Sequence, residues 1–86
     1  MNARTLVARN IRRIRVERGL SQEALAVDAE IDRTYVSRLE RNLENPTVGV
    51  LERVASALDC QIVEFFVVTG SGKLPTLKPG RKASRN

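Results

Sequence analysis

Arg33, Thr34, Ser37, Arg38 and Arg41 follow one another at spacings of one and three, and Val36 and Leu39 fall between them. A helix over this stretch turns the two apolar residues to one side and the polar, mostly basic set to the others. Arginine offers a two-pronged donor suited to guanine O6 and N7, and a threonine methyl can meet a thymine methyl. The same charges can also be a solvated helix face, and the hydroxyls can bond local carbonyls. Other chemistry is excluded by composition. Histidine is absent and Cys60 is the sole cysteine, which removes a Cys/His metal site, a disulfide within the chain and imidazole catalysis. Gly70-Ser71-Gly72-Lys73 fails as a phosphate loop. Val67 stands where its first glycine belongs and Leu74 where Ser or Thr must follow the lysine. The ten carboxylates form no visible catalytic or metal-binding cluster, so no catalytic residue, metal or cofactor is expected.

The elements that would carry these residues follow from apolar spacing. Leu6, Val7, Ile11 and Ile14 lie on one face of a helix from about Arg4 to Arg18, with Gly19 placed for a left-handed cap. Ser21 can cap a second, short helix containing Ala24, Leu25 and Ala26, small or apolar as close packing requires. Asp32 can cap a third, Arg33 to Arg41, before the loop at Asn42 to Pro46. Thr47 can cap a fourth with Leu51, Val54, Ala55 and Leu58 inward, where Gly49 is a poor helix former. A fifth is expected at Ile62 to Phe66, and Val67 and Val68 could extend it or leave it as a strand. Cys60 reads as a small core hydrophobe.

The net charge of +5 in 86 residues is unevenly placed. Ten arginines balance ten carboxylates before residue 71, and Lys73, Lys78, Arg81, Lys82 and Arg85 carry the whole excess. The division predicts a neutral folded domain over 1–69 and a flexible basic tail over 70–86, rich in glycine, proline and serine. A pI of about 10.4 favours a nucleic acid or anionic surface as partner. No apolar run reaches the ~20 residues of a membrane span and no signal peptide is evident, so the expected location is cytoplasmic, with no membrane partner.

Two short helices joined by a tight turn, the second basic outside, describe a helix-turn-helix. Leu20-Ser21-Gln22-Glu23-Ala24-Leu25-Ala26, then Ile31 to Asn42, then Asn45-Pro46-Thr47, resemble the Xre/Cro/lambda-repressor family of regulators across roughly Val7 to Phe66. Asp32 to Asn42 is particularly similar to controller proteins of restriction–modification systems, a stretch that single-domain phage and plasmid regulators also share. The resemblance implies an all-α, compact five-helix lambda-repressor-like bundle. It also implies a homodimer that regulates transcription from a near-palindromic site on double-stranded DNA.

Position by position, the resemblance puts Arg33, Thr34 and Arg38 at base edges, with Tyr35 and Ser37 beside them. Gln22 falls at the DNA backbone or an outer base, and Asn42 and Asn45 at phosphates. Arg15 and Glu40 match a partly buried ion pair. Val50, Val63, Phe66 and Val67 exceed what the bundle needs and are assigned to the dimer interface. Glu30 and Asp59 depart from the family, which has glycine there, so these turns accept strain or differ in geometry. No second domain is large enough for a small-molecule effector. Two other functions stay open at this point: an antitoxin-like module that binds DNA together with a protein partner, and a non-specific nucleic-acid binder working through the tail.

Overall fold

The computed structural model describes residues 2–68, which form an all-α fold. Its elements are α1 (Ala3–Glu17), α2 (Gln22–Ala29), α3 (Arg33–Glu40), α4 (Val48–Ala57) and a terminal 3-10 turn (Ile62–Phe66). The tail assigned to 70–86 lies outside the described residues.

Each α-helix starts at a residue suited to cap it. The side chains of Asn2, Ser21 and Thr47 accept the amide N–H three residues on, at 2.9, 2.9 and 3.1 Å. Asp32 occupies the same position before α3 but makes no such bond.

All four helices end alike. Gly19, Glu30, Asn42 and Asp59 follow the last turns with φ of 72°, 61°, 63° and 57°. In every case the next amide reaches back five residues: Leu20 to Arg15, Ile31 to Ala26, Leu43 to Arg38, Cys60 to Ala55. This is the Schellman closure, which satisfies carbonyls the helix leaves open. Glu30 and Asp59 therefore keep the left-handed geometry without glycine, at a cost of about 1–2 kcal/mol each. Two arginines offset that cost. Arg53 of α4 donates to the Ala29 and Glu30 carbonyls at 3.1 and 2.5 Å. Arg18, which follows α1, donates to those of Leu58 and Asp59 at 2.8 and 3.3 Å. A cation at a helix C-terminus also meets the negative end of its dipole.

The core joins Val7, Ile11 and Ile14 of α1 to Leu25, Ala26 and Ala29 of α2, Val36 and Leu39 of α3, and Leu51, Val54 and Ala55 of α4. Leu58 and Phe65 close it, and Ile31 packs against it from the turn between α2 and α3. Leu6, placed on the inner face by its spacing, is only half-buried.

The fifth helix expected at Ile62 to Phe66 is instead a single 3-10 turn, so the described fold has four α-helices. The reason lies in α1. Asn10, 1% exposed, donates from its amide to the carbonyls of Phe65 and Val67, both at 2.8 Å. Those carbonyls thus find a side chain rather than the next helical turn, and Val67 leaves extended with ψ of 133°. Asn10 Oδ1 accepts from Arg13, which completes a fully paired buried amide.

Candidate nucleic-acid interface

The candidate interface is built on α2, the turn through Glu30 to Asp32, and α3. Phase along α3 is set by Val36 and Leu39, 0% and 1% exposed. That anchoring leaves Arg33, Thr34 and Arg38 exposed, with Ser37 half-buried between them and Arg41 exposed at the C-terminal end. Arg33 makes no hydrogen bond or ion pair among the described residues. Its guanidinium is free to meet a ligand. Tyr35 is half-buried and packs against the core. Burial, and secondarily the Glu44 carboxylate, push its phenol above the usual range.

One acid fixes α3 against the rest of the molecule. Glu40 accepts from Arg15 Nε at 2.6 Å and from Arg15 Nη2 at 3.0 Å. Its side chain is 2% exposed and that of Arg15 is 12%. Gln22 Nε2 donates to the same carboxylate at 3.0 Å, and Arg15 Nη1 donates to the Leu20 carbonyl at 2.7 Å. α1, the start of α2 and the end of α3 therefore meet at one paired charge. Gln22 sits at this junction rather than on the open face, and its amide hydrogen goes to Glu40.

The residues after α3 divide. Asn42 adopts the left-handed conformation, and its Nδ2 donates to Thr5 Oγ1 of α1 at 2.9 Å. Its Oδ1 is buried with no partner among the described residues. Asn45 is exposed in the loop. Arg38 is bound from this loop: Nε donates to Glu44 Oε2 at 2.7 Å and Nη2 to the Leu43 carbonyl at 3.1 Å. Sequence reading missed Glu44, because a partner six residues away, across a helix end, obeys no helical spacing.

The apolar residues assigned to a dimer interface also divide. Val63, Phe66 and Val67 are exposed by 63%, 44% and 43%, with Val68 continuing the surface. Val48, equally exposed, lines a cleft of about 500 Å³ with Phe66, Pro46 and Val7. Val50 instead packs on the core and lines a different cleft, with Ala26, Ile31 and Tyr35. Cys60 is half-buried, and burial, ahead of Glu64, raises its thiol pKa.

Residues 11–65 match the helix-turn-helix family. The chain belongs to that family. Within it, a helix-turn-helix-type transcriptional regulator of Sinorhizobium fredii is 41% identical over 69 residues, 80% of this chain and 90% of that protein. The control protein C.BamHI of Bacillus amyloliquefaciens is 36% identical over 72 residues, 83% and 89% of the two chains. Other relatives are longer, and the chain spans 52% and 39% of two of them. Among solved structures, the restriction–modification controller C.Esp1396I, as a tetramer in complex with its natural 35-base-pair operator, superposes with a TM-score of 0.71. It is 39% identical, with 77% of this chain and 87% of that one covered. Further structures of that controller carry substitutions at consecutive arginine, threonine and tyrosine residues, an order this helix-turn-helix chain has once, at Arg33-Thr34-Tyr35.

Proposed function

We propose that this chain is a transcriptional regulator that binds double-stranded DNA as a homodimer on a near-palindromic operator and reads sequence by inserting α3 into the major groove. The observation that carries the reading is the exposed Arg33, Thr34, Arg38 face of a helix locked by a buried ion pair. A reading element must be held rigidly while its outer side chains stay open to base edges, and α3 meets both demands. Membership of the helix-turn-helix family and likeness to an operator-bound controller support it. The arrangement is read as lambda-repressor-like, with its fifth helix reduced to a 3-10 turn.

In this reading Arg33 and Arg38 contact base edges, Thr34 adds a methyl contact, and Ser37 and Tyr35 flank them. Gln22, held by Glu40, lies toward the DNA backbone or an outer base, and Asn42, held by Thr5, and Asn45 lie toward phosphate. Val63, Phe66 and Val67 pair the protomers. The reading makes the protein a regulator rather than an enzyme, working where cellular DNA is, in the cytoplasm. Residues 70–86, which carry the net charge of +5, supply positive charge for phosphates.

The test compares Arg33→Ala with the parent on a selected duplex and a scrambled one of equal length. The substitution lowers discrimination by about 1–3 kcal/mol, the value of a two-pronged base contact. Unchanged discrimination in both Arg33→Ala and Arg38→Ala rejects α3 as the reading helix. Equal, salt-sensitive binding of the parent to both duplexes favours a non-specific binder. Specific binding that requires a co-purified protein favours an antitoxin-like module.

A further inference from the structure

Arg38 is the one base-reading candidate on α3 whose donors are already engaged by protein. Its side chain is 45% exposed, yet Glu44 and the Leu43 carbonyl hold Nε and Nη2. These two nitrogens form one edge of the guanidinium plane. One Nη1 hydrogen and the second Nη2 hydrogen form the end of the fork, and Nη1 makes no bond among the described residues. The anchors fix both the position of the group and the rotation of its plane. Glu44 is the more buried partner, 26% exposed, and the loop carrying it is tied to α3 by the Leu43 amide on the Arg38 carbonyl at 2.9 Å.

Two consequences follow. An unanchored arginine samples many rotamers and must be ordered when it meets a base, which weakens the contact. Arg38 is ordered beforehand. A phosphate carries a full negative charge, so a carboxylate 2.7 Å from Nε offsets its attraction for Arg38 more than it offsets that of a neutral base edge. A base edge needs only a correctly turned pair of N–H groups, which the arrangement leaves available.

We propose that Glu44 is a specificity-determining residue, which positions Arg38 and offsets its charge so that it answers to a base edge rather than to the DNA backbone. The inference rests on the reading of α3 as the recognition helix. The experiment titrates the full-length protein against the tightest selected duplex and a scrambled duplex, with Glu44→Gln, Glu44→Ala and Arg38→Ala measured alongside, and records thermal melting of each. Both Glu44 variants tighten binding to scrambled DNA by about two- to fivefold, as loss of a nearby negative charge requires. Both lower the selected-to-scrambled ratio by about two- to tenfold, at little change in melting temperature. An equal change on both duplexes, or joint weakening with a lower melting temperature, makes Glu44 merely structural and overturns the inference. If Arg38→Ala loses discrimination while the Glu44 variants keep it, the inference alone falls. If Arg38→Ala keeps full discrimination the inference falls, and if Arg33→Ala keeps it too the reading of α3 falls with it.

Discussion

Glu40 accepts three hydrogen bonds, two from Arg15 on α1 and one from Gln22 on α2, while its side chain is 2% exposed. A carboxylate so far from water is tolerable only because its charge is matched and its oxygens are bonded. Glu40→Ala leaves Arg15 mostly buried and unpaired, so urea denaturation should show a loss of about 3–5 kcal/mol. A loss below about half a kcal/mol is what exposed pairs give and would contradict this role. Family resemblance put Arg15 and Glu40 together, although they lie 25 positions apart. Nothing in the sequence drew Gln22 into the same junction, because its place at the start of α2 is as good for a DNA contact as for an interior one. Asn10 escaped for a related reason. An asparagine on the inner face of an apolar helix pattern reads as an interruption until the two carbonyls that need it, 55 and 57 residues later, are in place.

At the scale of elements, starts were more legible than ends. Ser21 and Thr47 declare themselves by type, and their side chains bond as N-caps do. Gly19 declares the end of α1 in the same way. Glu30 and Asp59 conceal the same ending, because local preference there favours glycine and the compensating arginines come from other helices. Glu30→Gly should therefore raise stability by up to about 1 kcal/mol, the relieved strain less the greater freedom glycine has when unfolded. A melting temperature that falls on this substitution would show the side chain to be needed. Gly49 gives the converse case. A Cβ there would meet Thr47 Oγ1 at 3.8 Å, ordinary contact. Gly49→Ala should stabilise by about 0.4–1 kcal/mol in the same assay, and destabilisation would mean that α4 needs its glycine for another reason. The fifth helix was misread because the four apolar residues of Ile62–Phe66 cannot report that a side chain elsewhere takes the carbonyls of Phe65 and Val67.

For the whole molecule, charge and apolar surface point to separate tasks. The +5 excess lies beyond residue 70, so truncation after Gly70 should weaken selected and scrambled binding alike. The slope of log affinity against log salt should fall by roughly one to three units per chain. Equal slopes with and without the segment would deny it a role in binding. The exposed Val63, Phe66 and Val67 are proposed to pair the protomers, so Phe66→Glu should shift sedimentation at tens of micromolar from dimer to monomer. A parent already monomeric at that concentration would remove the assigned interface. Both expectations meet in the operator. A two-fold pair of protomers sets its recognition helices about 34 Å apart, one turn of duplex. Selection of binding sites from a random duplex pool by the full-length protein tests the account most directly. It should recover a near-palindrome whose half-site centres lie about 10 base pairs apart. A pool without enrichment, or a single asymmetric site bound by one protomer, would contradict it.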